Sequence, residues 1–179
     1  MKIYKTASCK EFERLSSAMT DDRTIVHKSD TLCIWTGQLD SYDKVAVRRR
    51  GYEVGVGKYI GGTIINFAGD LSVCRITWGK SDYGERITTA TLDWLLALGL
   101  NAVRDNNDIL VDGKKVYSFA AALTLTGWEQ TVIHYSVNMD VEIVKEICRK
   151  PLLKVPGALS CYGITAEIIE TAIFDDWRS

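Results

Sequence analysis

The spacing of apolar residues has a helical repeat in two long stretches of the chain. The first predicts a helix over Ser8–Met19, where Ser8 and Glu11 form a capping box ahead of the apolar positions. The second predicts a helix over Asp82–Leu98, and Gly99 follows it as a residue suited to the left-handed conformation at a helix end. Both helices are amphipathic, so each is expected to bury one face.

Other runs are rich in β-branched and aromatic residues, which is typical of strands. They are RTIVHK (23–28), TLCIWTG (31–37), DKVAVRR (43–49), TIINF (63–67), LSVCRITW (71–78) and QTVIHYSVN (130–138). Short helices are predicted over Asp140–Lys150, ahead of Pro151, and over Thr165–Trp177. Many strands with a few segregated helices predict an α+β fold, a mixed, largely antiparallel sheet with packed helices, as a single domain over residues 1–179.

The stretch NNDILVDGKKVYSFAAAL (106–123) predicts a hairpin, because Asp112-Gly113 suits a type I′ turn. Beyond the turn, strand alternation would place Lys114 on one face and Lys115, Tyr117 and Phe119 on the other. One ammonium group is then expected to face inward, where it needs an anionic partner. The pattern alone also fits two lysines in water at the turn.

Composition and charge exclude several classes of protein. The formal net charge is -1, so no overall field draws the chain to nucleic acid or to a membrane surface. The longest apolar stretch, 92–100, is far shorter than the roughly 20 residues that a membrane span needs. The five cysteines are odd in number and form no CxxC pair, so neither a disulfide framework nor a metal site is indicated. These features favour a reducing cytoplasm.

Three motifs resemble the biotin–protein ligase and lipoate–protein ligase superfamily. NDILVDGKKV (107–116) resembles the segment that precedes and contains the catalytic lysine of that family, and Lys115 takes the place of this lysine. GGTIINFAGDL (61–71) resembles the glycine-rich GGAVYHDLGNL pattern of lipoate ligases. VIHYSVNMDVEIV (132–144) resembles the family's strand with a histidine followed by a short helix. The resemblance runs from about Arg23 to Thr165.

The resemblance implies the catalytic-domain fold of this superfamily, without a C-terminal accessory domain, and an acyl-transfer activity. Such a ligase activates lipoate, octanoate or biotin with ATP, and with Mg²⁺ as companion ion, as an acyl-adenylate. It then passes the acyl group to a lysine of a carrier protein. By this resemblance Lys115 is catalytic. Substrate-binding roles fall on Gly61, Gly62, Thr63, Asn66, Tyr117 and His134, and nucleotide-binding roles on Lys58, Asn107 and Asp108.

The chain departs from the family pattern at several positions. Gly57-Lys58 replaces an arginine pair, and Asn66 replaces a histidine. Tyr117 and Phe119 are bulky where the family has small residues, so they are expected to narrow the pocket beside Lys115.

Two alternatives stay open. SCYGIT (160–165) resembles the cysteine segment of ATP-independent octanoyltransferases with one residue inserted, so Cys161 would be the nucleophile and Lys115 would stabilise its thiolate. The departures also fit a catalytically silent relative that only binds a ligand or a protein.

Overall fold

The protein, seen in a computed structural model that describes residues 2–36, 41–56, 63–149 and 151–174, is built from strands and helices that alternate irregularly. The strands are β1 (Lys2–Thr6), β2 (Arg23–Lys28), β3 (Cys33–Thr36), β4 (Glu53–Val56), β5 (Thr63–Asn66), β6 (Leu71–Trp78), β7 (Ala102–Asp105), β8 (Asp108–Val111), β9 (Lys114–Leu123) and β10 (Trp128–Tyr135). The helices are α1 (Cys9–Ser17), α2 (Lys44–Arg49), α3 (Tyr83–Ala97), α4 (Val141–Ile147) and α5 (Ala166–Phe174). Within these ranges, no helix is long and apolar enough to cross a bilayer.

A seven-stranded sheet forms the centre, in the order β1-β2-β6-β10-β9-β8-β7. β1 and β2 are parallel, and the other neighbouring strands are antiparallel. The β8–β9 hairpin turns at Asp112-Gly113, where both residues have positive φ angles of 50° and 75°. The predicted α+β class, the largely antiparallel sheet and the hairpin are therefore confirmed.

The central sheet is covered on both faces. On one face, Tyr83 and Leu95 of α3 and Phe174 of α5 share a core with Ile133 of β10. On the other face, α1 packs beside a three-stranded sheet in the order β4-β3-β5. α2 and α4 pack against this smaller sheet in a third apolar cluster. The layers leave a gap between the two sheets.

The segment 43–49 is a helix, so the strand predicted there is wrong. Asp43 acts as the N-cap, and its Oδ1 accepts hydrogen bonds from the N–H groups of Val45 and Ala46 at 2.7 and 2.9 Å. This cap satisfies donors that would be unpaired at a helix start. The β-branched pattern misled because α2 is only six residues long, too short for a helical repeat to stand out.

Cys9 and Cys33 form a disulfide that joins α1 to β3 inside the core, with the two Cα atoms 6.0 Å apart. The expectation that the cysteines form no disulfide is therefore wrong. The two residues are separated by 24 positions in the sequence and belong to no spaced motif, so only the packing of α1 on the smaller sheet brings them together. The cysteine content no longer supports a reducing compartment, and a cytoplasmic location stays a prediction.

A β-bulge in β9 changes which side chains face the gap. Lys115 lies opposite Leu110 and Tyr117 lies opposite the next residue, Ile109, so Val116 is the extra residue of β9. A bulge of this kind shifts the alternation of side chains by one position. Val116 and Tyr117 both point to the α3 side and are fully buried there.

Tyr117 and Phe119 therefore do not share a face with Lys115, and the predicted narrowing of the pocket by these rings is wrong. The Tyr117 hydroxyl lies 2.9 Å from the Thr88 hydroxyl of α3. Phe119 packs so closely on α3 that a Cβ atom at Gly84 would lie 2.5 Å from its ring. Strict alternation beyond the turn was the assumption that failed.

We expect the Tyr117–Thr88 contact to contribute measurably to stability. The Thr88 hydroxyl donates to Gly84 O at 2.7 Å, so it accepts from Tyr117. Thr88→Val should lower the free energy of unfolding by about 1–3 kcal/mol, because it leaves a buried hydroxyl unpaired. Adding Tyr117→Phe should recover part of this loss. Urea unfolding measures both effects, with the exposed Thr89→Val as control. Equal effects of the Thr88 and Thr89 variants would contradict the placement of Tyr117.

Candidate functional site

A cavity of about 730 Å³ lies in the gap between the two sheets. Its lining has a polar side on the central sheet, an apolar side on β5 and α4, and charged and amide groups at one end. The described residues concerned are Ser118, His134 and Ser136; Ile64, Ile65, Met139 and Val144; and Asn106, Asn107, Asp108, Lys115 and Lys154. Such a cavity suits a ligand with an apolar body and an anionic end.

Lys115 lies at the charged end, where its Nζ is 2.9 Å from Oδ1 of Asp108. Its side chain is 36% exposed, so water still reaches the ammonium group. The neighbouring Lys114 is exposed and does not line the cavity. The inward Lys115 and outward Lys114 match the prediction from strand alternation, because the bulge follows them in β9.

A segment that sequence reasoning missed, residues 151–157, runs along Lys115. Lys115 donates its N–H to Val155 O at 2.8 Å, and Gly157 donates its N–H to Lys115 O at 2.8 Å. Gly157 allows this close approach, since a Cβ atom there would lie 2.8 Å from Cβ of Lys114. The segment thus takes the place beside Lys115 that β10 leaves after Tyr135.

Lys154 of this segment forms a second ion pair with the same carboxylate. Its Nζ lies 2.7 Å from Oδ2 of Asp108 and 2.7 Å from Oδ2 of Asp105. Burial lowers the pKa of Lys154, but the hydrogen bonds with the two carboxylates outweigh it and raise the pKa overall. Two ammonium groups therefore share the Asp108 carboxylate at the end of the cavity.

A row of polar side chains crosses the central sheet beneath the cavity. Directly opposed pairs in the strand register connect its members, which are Thr6, His27, Ser72, His134, Ser118, Asp108 and Asp105. Residues that are directly opposed in a sheet point to the same face. His134, Ser118 and Asp108 of this row line the cavity and make its floor polar, and Asp108 forms the ion pair with Lys115 there.

His134 is held in one neutral form within this row. Ser72 donates to Oδ1 of Asn66 at 2.6 Å, so its oxygen accepts from Nδ1–H of His134 at 3.1 Å. Nε2 of His134 then accepts from Ser136 at 3.3 Å. Burial first, and then the nearby Lys115 and His27, lower the pKa of His134 to about 3. Both ring nitrogens are thus engaged.

The Asp70 carboxyl group binds the backbone of the residues that follow β10. Its Oδ1 accepts from the N–H groups of Val137 and Asn138, each at 2.7 Å, and its Oδ2 accepts from Phe67 N–H at 2.9 Å. Burial raises the pKa of Asp70 to about 7, although these three donors oppose the rise. The carboxyl group fixes the chain that carries Ser136 into the cavity lining.

Some of the other predicted site residues line the cavity, and the rest lie elsewhere or outside the described residues. Asn107, Asp108 and His134 line the cavity, whereas Asn66 is fully buried behind it and Tyr117 faces α3. Lys58, Gly61 and Gly62 lie outside the described residues, and Thr63 begins β5. Cys161 is exposed on a 3₁₀ turn, Leu159–Tyr162, and is not part of the described cavity lining, which instead includes Cys148. No spacing pattern in the sequence pointed to Lys154 or Cys148.

We expect both histidines of the chain to stay neutral in the native state down to low pH. Burial lowers the pKa of His27 to about 4, and the pKa of His134 is about 3. The unfolded chain takes up these protons below about pH 6.5. The free energy of unfolding is therefore unaffected by these two groups above about pH 6.5, and it falls as the pH drops from there towards about 4 and 3, the pKa values of His27 and His134 in the folded protein. Side-chain ¹⁵N NMR should show no imidazole titration between about pH 8 and pH 5. A titration midpoint near pH 6.5 would contradict the buried network, and His27→Asn assigns the two signals.

The sequence comparisons and the structure comparisons differ in outcome. No family model matches the chain, and no curated protein sequence matches it. A bi-partite lipoate protein ligase from Thermoplasma acidophilum, described with its E2 lipoyl domain, superposes with a TM-score of 0.74 at 14% identity, over 98% of this chain and 81% of the other. A lipoate-protein ligase A bound with ATP gives 0.72 at 16% identity, over 98% and 83%.

The similarity extends to biotin ligases at a lower level. The biotin protein ligase of Aquifex aeolicus in complex with biotin and ATP gives a TM-score of 0.53 at 12% identity, over 95% of this chain and 63% of the other. The chain therefore has the fold of these lipoate and biotin ligase structures, which is the fold that the sequence resemblance implied.

Proposed function

We propose that the protein is an acyl-transfer enzyme that attaches a carboxylic acid of lipoyl, octanoyl or biotinyl type to a lysine of a carrier protein. The observation that carries this proposal is the Lys115 ammonium group at the charged end of a partly apolar cavity. The names of the structural neighbours, which include ligases with ATP, biotin and an E2 lipoyl domain, support it.

The cavity suits the two ends of such an acid. Ile64, Met139 and Val144 offer an apolar wall for an acyl chain or ring system, and the polar floor accepts hydrogen-bonding groups. The carboxylate would lie at Lys115, whose charge can hold an oxygen atom as negative charge develops. The exposed Asn107 and the half-buried Asp108 would line the adjoining nucleotide position.

The reaction that this arrangement favours has two steps. A carboxylate oxygen of the acid would attack the α-phosphorus of ATP and expel pyrophosphate. The amine of the carrier lysine then attacks the acyl carbonyl, loses a proton and releases AMP. In both steps negative charge builds on oxygen atoms near the carboxyl group, which is where Lys115 would stabilise it.

We expect Lys115→Ala to lower the rate of acyl transfer by at least about 100-fold, the scale of losing one preorganised charge in an active site. Lys114→Ala is the matched control, since it removes the adjacent ammonium group, which lies outside the cavity. The assay follows the mass of a lipoyl or biotinyl carrier domain incubated with Mg·ATP and each acid. Equal rates for the Lys115 variant and the wild type would exclude the proposed role.

The thioester alternative is tested separately. Because Cys161 is exposed and does not contribute to the described cavity lining, we expect Cys161→Ala to keep the wild-type rate within about 2-fold. Pyrophosphate should appear when acid and ATP are mixed. A transfer that needs Cys161, proceeds without ATP and builds a hydroxylamine-sensitive acyl group on that residue would replace the adenylate route. If no acid raises the melting temperature and no transfer occurs, the protein is a silent relative.

A further inference from the structure

We propose that Lys154 is a positioning residue for the anion site: it neutralises Asp108 and so leaves the charge of Lys115 to the anionic group of the ligand. The inference rests on the proposed function only in taking the charged end of the cavity as the place where a phosphate-bearing anion binds. It assigns a role to a residue that lies outside every sequence motif of the chain.

The Asp108 carboxylate lies between two lysine side chains. The Asp108 carboxylate is 16% exposed and has a different ammonium group on each oxygen, Lys115 at 2.9 Å and Lys154 at 2.7 Å. Lys154 is itself only 25% exposed and is the closer partner. A carboxylate that faced Lys115 alone would hold that ammonium group as a simple ion pair.

Lys154 also sets the net charge at this end of the cavity. Among the described residues that line the cavity, the charged side chains are Asp108, Lys115 and Lys154, with a sum of +1. Asp105 lies outside the described lining but 2.7 Å from Lys154, and including it brings the sum to zero. Without Lys154 the two sums become zero and -1, so an incoming phosphate group would meet a site with one positive charge fewer.

The backbone fixes Lys154 close to Lys115. The two hydrogen bonds between Lys115 and the 151–157 segment, each of 2.8 Å, hold the segment against β9. The absence of a Cβ atom at Gly157 keeps that approach close. Lys154 is therefore a built part of the site, in contrast to a lysine on a free surface, whose ion pairs contribute little.

The experiment measures the binding of inorganic pyrophosphate by calorimetry, at neutral pH and constant low ionic strength. Lys154→Met should weaken binding at least about 10-fold, and Lys154→Arg should stay within about 3-fold of the wild type. Lys114 lies on β9 next to Lys115 but outside the described cavity lining, so Lys114→Met should bind pyrophosphate like the wild type. The decisive variant is Lys154→Met combined with Asp108→Asn, which removes both charges and should recover binding to within about 3-fold of the wild type.

A purely structural role for Lys154 would give a different pattern. The double variant would then bind as weakly as Lys154→Met, or more weakly, and that result overturns the inference. Wild-type affinity in Lys154→Met, or no pyrophosphate binding by the wild-type protein, also overturns it. Because this assay needs no acyl transfer, an enzyme that binds pyrophosphate through Lys154 but acylates no carrier would refute only the proposed function.

Discussion

The extra residue in β9 is the constraint on which the site depends. Without the bulge at Val116, a strand that presents Lys115 to the cavity would present Tyr117 and Phe119 to it as well. With the bulge, the same strand sends these aromatic rings into the core with α3 and places the small Ser118 in the cavity lining. One irregularity therefore reconciles a bulky, apolar sequence with an open, charged cavity.

The polar row beneath the cavity places a second demand on the fold. Burying hydroxyl and imidazole groups between two sheets is unfavourable unless each is hydrogen-bonded. At the middle of the row, Ser72 meets this demand for itself and for His134 Nδ1 by joining Asn66 of the smaller sheet to His134 of the central sheet. The link ties the two sheets together behind the cavity. The buried amide oxygen of Asn66 completes this link by accepting a hydrogen bond from the Ser72 hydroxyl.

The fold was predictable where local chemistry decides the structure. Asp112-Gly113 has the residues that a type I′ turn requires, and the resemblance around Lys115 implied a fold that the lipoate ligase structures share. Asp43, in contrast, begins a helix only because its side chain caps Val45 and Ala46, an effect that a short β-branched run conceals. A local sequence pattern predicts the structure reliably where few residue types suit the required backbone conformation, as in the Asp112-Gly113 turn.

The missed features of the site all come from contacts between distant parts of the chain. Lys154 reaches Asp108 across 46 positions of sequence. The disulfide of Cys9 with Cys33 follows from the packing of α1, and the bulge follows from how β8 and β9 pair. None of these contacts leaves a periodic or spaced signature in the sequence, because each depends on where whole elements lie relative to one another.

We propose, as the central claim, that the bulged strand presents Lys115 to an acid-binding cavity between the two sheets. A crystal structure of the protein with bound octanoate tests it most directly. We expect the carboxylate to lie within about 3 Å of Lys115 Nζ, the usual length of a charge-assisted hydrogen bond, with the acyl chain along Ile64 and Val144. Octanoate bound elsewhere, or a cavity that stays empty at saturating octanoate, would contradict the claim.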